Sequence, residues 1–482
     1  MQRQPLFWIV TVAAVTILIL QLFVPPIVGL ADQNDFQRVI GVFGYGAEPG
    51  PVPYVFAWVA PKYIPGPNFR APGLEHFSSE YLFAGAAVLL NKLISRDGKL
   101  DIEIIGLIHA LAFLAAFLRL LFVTRRFAAR PLIWVSALVI LTDVGYVEYW
   151  NTFYREPASC IFGLLLIAES IDLAQRERVN LGGMARWTLW AVLFAEAKEL
   201  NAILGLALGL FCILLRARTT ERITRIAALG SAVLITGLSI LSIVTVPPGD
   251  GNARAYTLIF AAIVPESRDS ASDLRTLGLD PRLRDYGGSA AWSPQTDYPA
   301  LVADGTLGKL ITPMTVLRFY LLRPTRFWRH IQAMLPIASQ LRPECCGNFE
   351  LSAGFPPRAR SQTFAYWSAF HEHVLAHAAK IVVFLLPIPA IAILWIRIRG
   401  GCPPLSMNFV ALLTTCCLIA FLGAIFGDAW ENVRHLFLFN LLLDTVLVTA
   451  AAACWTAAAR RFGGHGAKNS AASLQNESIS LG

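Results

Sequence analysis

The uncharged run LFWIVTVAAVTILILQLFV (residues 6–24) decides the fold class of this chain. An apolar stretch of this length can cross a bilayer as one helix. The composition agrees, because 56% of the 482 residues are hydrophobic, only 15% are charged, and the mean hydropathy is +0.56. Soluble proteins carry about a quarter charged residues. The sequence therefore predicts an all-α integral membrane protein. The net charge of +8 does not indicate nucleic-acid binding, since the basic residues lie mainly in short loops between apolar runs.

Further apolar runs predict about ten transmembrane helices, with both termini in the cytoplasm. The turns at one end of these runs hold almost only arginine, and the positive-inside rule places such turns in the cytoplasm. We expect the first run to be an uncleaved anchor, because its apolar core is longer than that of a signal peptide. The predicted crossings are residues 6–24, 102–123, 132–147, 158–174, the two halves of 187–215, 226–246, 380–396, 409–426 and 436–456.

The run at residues 187–215 is longer than the others and contains charges near its middle. A single helix would place Glu196, Lys198 and Glu199 at the bilayer centre, which is energetically costly. It would also put the arginines that follow it on the wrong side for the positive-inside rule. We therefore predict two short helices that meet at AEAKELN (residues 195–201), with this charged tip at the external surface.

The predicted crossings divide the chain into four parts. Residues 1–247 form an N-terminal transmembrane bundle with a first external loop (25–100), and residues 248–377 form a small, mainly helical external subdomain. Residues 378–458 form the C-terminal transmembrane helices, and residues 459–482 form a disordered cytoplasmic tail.

One segment of the predicted subdomain, LRFYLLRPTRFWRHIQAML (residues 317–335), alternates arginines with aromatic residues. The pattern is typical of an interfacial helix among lipid headgroups. It is equally typical of a basic amphipathic helix that packs on the bundle. Both alternatives stay open at this point.

Four clusters of mixed charge lie on the predicted external side, each at the end of an apolar run. In the first, GLADQNDFQR (residues 29–38), a helix that begins near Asp32 would project Asp32, Asp35 and Arg38 from one face. Each cluster alone is explained by a helix cap or a solvated loop. Ionisable residues at four places along one rim nevertheless indicate a functional site. The other clusters contain Glu148, Arg155 and Glu156; Glu196, Lys198 and Glu199; and Asp428, Glu431, Arg434 and His435.

Histidines and cysteines give weaker signals. His371, His373 and His377 lack the HExxH spacing, so a surface helix without metal is favoured over a metal site. Cys345 and Cys346 are the only adjacent pair in a polar loop. Adjacent cysteines form a strained disulfide if they form one, so this pair is weak evidence either way.

A polytopic bundle with an acidic motif after its first helix and cations at the same rim resembles the GT-C superfamily of membrane glycosyltransferases. In that superfamily a pair of carboxylates follows the first helix, and Asn34-Asp35, with Asp32 nearby, is similar to it. Asn34 departs from the usual acidic pair, which leaves open whether Asp32 or Asp35 takes the acid's part. The turns NTFYREP (residues 151–157) and ENVRH (residues 431–435) also resemble rim loops of the superfamily.

The resemblance implies an inverting transfer of a sugar from a polyprenyl-phosphate carrier to an envelope glycan, lipid or protein acceptor. It places the reaction at the external, periplasmic face of the plasma (inner) membrane. Asp35 or Asp32 would act as the catalytic base. No cofactor is certain, although the carboxylates leave room for a divalent cation, and there is no Rossmann fingerprint or P-loop. The expected substrate-binding residues are Arg434, His435, Lys198, Arg155, Arg38, Glu156, Glu199 and Glu431.

A transporter or lipid-carrier flippase for envelope precursors is the alternative, because the same charges would then line a substrate path. The chain shows no internal repeat, and a transporter rarely needs an external segment as long as residues 248–377. A non-catalytic scaffold of an envelope-polymer complex is a third hypothesis, in which the rim charges would tolerate substitution.

Overall fold

Helices make up most of the fold, which confirms the predicted all-α integral membrane protein. The computed structural model describes residues 5–67, 77–216, 219, 221–293, 296, 298, 311–377 and 404–479. In chain order the helices are α1 (Pro5–Leu22), α2 (Gln37–Ile40), α3 (Glu80–Ile94), α4 (Ile102–Thr124), α5 (Arg130–Leu141), α6 (Val144–Val147), α7 (Glu156–Ala174), α8 (Leu181–Ala195), α9 (Glu199–Arg216), α10 (Arg222–Val244), α11 (Pro248–Thr257), α12 (Ser270–Thr276), α13 (Pro313–Leu322), α14 (Pro324–Ala338), α15 (Tyr366–Phe370), α16 (Pro404–Gly427), α17 (Asn432–His435) and α18 (Phe437–Ile479).

Within the described residues, seven helices are long and apolar enough to cross a membrane: α1, α4, α7, α9, α10, α16 and α18. Two other predicted crossings are shorter helices. Helix α5 ends at Leu141, and Asp143 then caps a separate short helix, α6. Helix α8 has only 15 residues. The predicted crossing at residues 380–396 lies outside the described residues.

The chain breaks between α8 and α9, as the charges near residue 198 predict. The two helices pack against each other and against α10. Gly205 permits the close approach of α9 to α10, because an added Cβ would lie 1.9 Å from Ser239 Oγ. The charged break therefore separates α8 from α9, and a small residue lets α9 pack closely against α10.

A small antiparallel sheet fastens the first loop to the bundle. The strand β1 (Tyr45–Ala47) pairs with β2 (Lys62–Pro65), and β2 pairs with β3 (Leu100–Asp101), so that β2 is central. Tyr63 of β2 lies opposite Leu100, and both side chains are buried. Because β3 leads directly into α4, the sheet holds the loop against a long helix.

The segment from α11 to α13 has a hydrophobic cluster of its own, which includes Tyr256, Phe260 and Phe319. The predicted amphipathic segment is divided into α13 and α14 at a proline. Arg326 is buried, lies 3.2 Å from Asp273, and donates to the carbonyl of Ile263. At this arginine the structure agrees with the packing alternative, not with headgroup contact.

The last helix is longer than its apolar part. Its membrane-spanning stretch ends at Ala459, but α18 continues to Ile479, through the residues that the sequence predicts to be disordered. Ala457, Ala458 and Ala459 favour the helical backbone across this boundary, because alanine has the highest helix propensity. The side chains beyond Ala459 lie outside the description.

Candidate functional site

The loop after α1 presents Asp35 on a fixed turn. The helix predicted near Asp32 begins only at Gln37, and Asp32 caps the turn before it. Its Oδ1 accepts hydrogen bonds from the backbone N–H groups of Asp35 (2.8 Å) and Phe36 (3.1 Å). Asn34 has a φ of 69°, a conformation that asparagine adopts more readily than most residues. Because Phe36 is buried against the bundle, this turn is held in place.

A buried polar network holds the same loop from its other side. Asn348 donates to the carbonyl of Gly29 (2.7 Å) and to Glu148 Oε2 (3.1 Å). Arg342 donates to the same Glu148 oxygen (2.9 Å) and to Asn348 Oδ1 (2.6 Å). The backbone N–H groups of Gly29 and Ala31 donate to the segment that contains Asn348. Glu148, which the sequence groups with the rim charges, therefore anchors the loop.

A single cavity of about 1510 Å³ collects residues from all four predicted clusters. Asp32 does not line this cavity, and its Oδ1 is hydrogen-bonded within the turn. Glu156 does not line it either, but it forms ion pairs with Lys198 and Arg434, which do. The tertiary structure therefore brings distant parts of the chain into contact: Asp35 and Arg434, which form an ion pair, are 399 residues apart in sequence. Eight of the catalytic and substrate-binding residues predicted from the sequence line the cavity: Asp35, Arg38, Arg155, Lys198, Glu199, Glu431, Arg434 and His435.

Arg434 forms the centre of the charged wall. Its Nη2 donates to Asp35 Oδ2 and to Glu431 Oε2 (2.8 Å), and its Nη1 lies 3.6 Å from Glu156 Oε1. The guanidinium also lies over the ring of Tyr154, 4.9 Å from its centroid. Nη2 already donates to two carboxylates, and Nε is buried and makes no hydrogen bond, so a ligand phosphate would have to displace a carboxylate to bind Nη2.

His435 lies beside a second ion pair, between Lys198 Nζ and Glu156 Oε1 (2.7 Å). Its Nδ1 faces Lys198 Nζ at 3.4 Å, and its Nε2 lies 3.8 Å from Asp428 Oδ2. Burial, followed by the charges of Lys198 and Arg434, lowers the pKa of His435 well below its usual range. The ring is therefore neutral, and we assign its proton to Nε2, because Nδ1 accepts from the ammonium. His435 offers a ligand a hydrogen bond but no positive charge.

Helix α11 brings two charges to the cavity that the sequence analysis did not single out. Glu199 accepts from Arg155 (3.2 Å) and from Arg254 of α11 (2.7 Å). Asp250 lies one turn before Arg254 and 3.9 Å from Arg38. Both α11 residues follow an apolar run closely, which is the same signal that identified the other clusters.

The cations differ in how far they are open to a ligand. The side chain of Arg38 is 35% exposed and that of Arg254 is 27% exposed, whereas that of Arg434 is only 6% exposed. All of these cations already face carboxylates. The two more exposed arginines can exchange a carboxylate for a ligand anion with the least rearrangement, since ion pairs open to solvent are weak.

Asp32, Asp35 and Asp428, three of the four described aspartates near the cavity, differ in ionisation. Burial raises the pKa of Asp32 to about 6, despite the N–H group of Phe36, and burial also raises the pKa of Asp428 to about 6. Burial acts on Asp35 as well, but the positive charges of Arg434 and Arg38 outweigh it and hold the pKa of Asp35 well below its usual range. Asp35 is therefore an ionised carboxylate at every physiological pH.

The remaining wall of the cavity is apolar and has two parts, one from the spanning helices α9, α10 and α16 and one from the segment that runs from α11 to α14. This wall is continuous with the charged residues in one cavity, which therefore suits a ligand that has both a hydrocarbon part and an anionic part. The apolar side chains include Leu200, Ile203, Ile243, Val246, Leu317, Leu321, Ile419, Leu422 and Phe426.

A family model described as the YfdI N-terminal transmembrane domain matches residues 2–471. The chain belongs to the YfdI N-terminal transmembrane domain family. No curated protein and no solved structure matches it. The YfdI-family match includes every residue that lines the cavity, so the cavity is a feature of the transmembrane domain itself.

One of the three histidines considered as metal ligands in this YfdI-family chain, His371, has other partners. His371 is buried, with its Nε2 3.0 Å from Asp444 Oδ1 and its Nδ1 3.0 Å from the carbonyl of Ser339. It therefore anchors the chain after α15 to the last helix. Among the described residues, no group of three or more His, Cys, Asp or Glu side chains could hold a metal ion.

Proposed function

We propose that this YfdI-family chain is a membrane glycosyltransferase that moves a sugar from a polyprenyl-phosphate carrier to an envelope glycan, lipid or protein acceptor. One observation carries the proposal: a single cavity joins an apolar wall of membrane-spanning helices to a wall of paired charges. A polyprenyl phosphate has the same two parts, and it can enter from the bilayer. The resemblance to the GT-C superfamily supports the reaction class, and the arginine-rich turns support an external site.

Asp35 is the base in this proposal, and the transfer inverts the sugar carbon. The Asp35 carboxylate takes the proton of the acceptor hydroxyl as that oxygen attacks the sugar carbon. The bond from the sugar carbon to the phosphate oxygen breaks, and the phosphate leaves with the electron pair. Asp32 is less suited, because its Oδ1 accepts two backbone hydrogen bonds and its side chain does not line the cavity.

The donor phosphate meets Arg38 and Arg254 first, because these are the more exposed of the lining arginines. Arg434 and Lys198 lie deeper and orient Asp35 and Glu156. A phosphate that draws Arg38 away from Asp35 removes one of the charges that lower the pKa of Asp35. Donor binding would thus raise the basicity of Asp35 when the base is needed.

The test follows release of free polyprenyl phosphate, a product common to every acceptor. Membranes that contain the chain are supplied with polyprenyl-phosphate-linked hexoses and an envelope extract. Asp35→Asn keeps the shape of the side chain but removes the proton acceptor, so release should fall by about two or more orders of magnitude. Binding of the donor should survive, and Asp32→Asn should cost less.

Two outcomes would count against this assignment. Near wild-type release by the Asp35→Asn variant would remove Asp35 as the base. Movement of a fluorescent carrier lipid across vesicle bilayers, with no release of polyprenyl phosphate from any donor, would instead support the flippase alternative.

A further inference from the structure

Cys345 and Cys346 form a close thiol pair beside the cavity. Their Sγ atoms lie 3.1 Å apart, and the Nε2 group of Gln33 donates to both sulfurs at 2.8 Å. Gln33 lines the cavity and lies two residues before Asp35. The dithiol is therefore one side chain away from the loop that presents the proposed base.

The pair differs in setting from the other described cysteines. Cys346 is fully buried, but Cys345 is half-buried and can meet a reagent from solvent. Its hydrogen bond with Cys346 lowers the pKa of the Cys345 thiol, and the same contact raises that of Cys346. Since the thiolate is the attacking species, Cys345 is the sulfur that reacts first. The other described cysteines are Cys160, Cys212, Cys416 and Cys417, which are buried in helices, and Cys454, which is exposed and without a neighbouring thiol.

We propose that Cys345 and Cys346 are a site of thiol–disulfide exchange whose oxidised form alters the loop that carries Asp35. A small-molecule disulfide is the oxidant. The Cys345 thiolate attacks one of its sulfurs, forms a mixed disulfide and releases one thiolate. Cys346 then loses its proton, attacks Cys345 Sγ and expels the second thiolate. Two cysteine thiols are oxidised, and one reagent disulfide is reduced to two thiols.

The contacts around the pair carry the change to the loop. Formation of the disulfide draws the two sulfurs together and so moves both acceptors of the Gln33 Nε2 group. The Oε1 atom of Gln33 accepts no hydrogen bond, so these two contacts are what orients the amide. The next residue, Gly347, accepts from the N–H of Ala31 (2.9 Å) and donates to the carbonyl of Phe56 (3.0 Å). Oxidation therefore changes the contacts of the loop at two points, the side chain of Gln33 and the backbone of Ala31.

The first test asks whether the bond forms. The full chain, with Cys402→Ser and Cys454→Ser to remove competing thiols, is purified and treated with oxidised glutathione. Mass spectrometry should find the peptide that holds both cysteines lighter by two hydrogens, and a reductant should restore its mass. A peptide that remains a dithiol, or that keeps a glutathione adduct, would overturn the proposal.

The second test asks whether the loop responds. Amide hydrogen exchange of residues 29–35 should differ several-fold between the oxidised and reduced protein. The Cys345→Ser variant should show no response to the oxidant, because it cannot close the bond. Identical exchange of this loop in both states would refute the coupling. Neither experiment measures sugar transfer, so failure here is separable from failure of the proposed function.

Discussion

At the residue scale, Arg434 shows how the structure changes an interpretation based on sequence. The sequence presents this arginine as a phosphate ligand, whereas the structure shows its guanidinium beside three carboxylates and nearly buried. Removing one partner of a buried ion pair leaves uncompensated charge, which is more costly than losing an exposed pair. The deep position favours a role in holding Asp35, and leaves the first contact with phosphate to the more exposed arginines.

We therefore expect Arg434→Ala to destabilise the folded protein by about 3–5 kcal/mol, because Asp35, Glu431 and Glu156 lose their shared cation. Arg434→Lys should recover only part of this, since lysine lacks the planar fork that contacts several oxygens. Thermal unfolding in detergent measures both effects. The matched control is Arg38→Ala, which should change stability by less than about 1 kcal/mol yet weaken donor binding. An Arg434→Ala protein as stable as wild type would contradict this role.

At the element scale, α11 and the break between α8 and α9 complete the charged wall. The break places Lys198 and Glu199 at a helix end, and α11 folds back so that Arg254 reaches Glu199. Both elements are needed, because Arg254 of α11 can pair with Glu199 only if α11 lies at the same depth as the start of α9. The two elements should therefore be accessible from the same side of the membrane.

Cysteine labelling tests this arrangement in intact cells, in a background without Cys345, Cys402 and Cys454. An impermeant maleimide should label Arg254→Cys, whose native side chain is 27% exposed, without permeabilisation. Arg222→Cys, at the start of α10, should react only after permeabilisation, because α10 separates it from α11. Labelling of position 222 in sealed cells would overturn the predicted orientation and the external site with it.

At the scale of the whole molecule, the cavity is the feature that joins membrane-spanning helices to the charged residues of the candidate site. Part of its apolar wall comes from helices that can span the bilayer, and its charged wall comes from the ends of those helices and from the loops and short helices that join them. A hydrocarbon chain bound there would be desolvated along its length while its anionic head reaches the arginines. A larger side chain on the apolar wall would narrow the cavity and should therefore reduce lipid binding, although every charged residue is unchanged.

Ile203→Trp puts a larger side chain into the cavity from its apolar wall on α9. The matched control is Leu206→Trp on the same helix. Both native side chains are 40% exposed, but only Ile203 lines the cavity. Native mass spectrometry with a polyprenyl phosphate should show about tenfold or weaker binding for Ile203→Trp, a loss of at least about 1.4 kcal/mol. Leu206→Trp should bind normally. Equal binding by both variants would place the hydrocarbon chain elsewhere.

The sequence by itself determined the fold class, the break in the longest apolar run and the residue types of the candidate site. These are local consequences of hydropathy and of the cost of charge in a bilayer, which act wherever an apolar run meets polar residues. The sequence could therefore identify the charges at the ends of apolar runs, which include Asp35, Arg155, Lys198 and Arg434. Their separate roles were not, because a role depends on which partner each side chain meets.

Only the tertiary structure decided those partners. It assigned Asp32 to a turn and Glu148 to an anchor, left His435 neutral between Lys198 and Asp428, and brought Arg254 to Glu199. Each outcome rests on contacts between segments that are distant in sequence, where distance, burial and opposing charge set the energy of an ionisable group. Local sequence does not specify these three quantities, because they arise only when the helices pack.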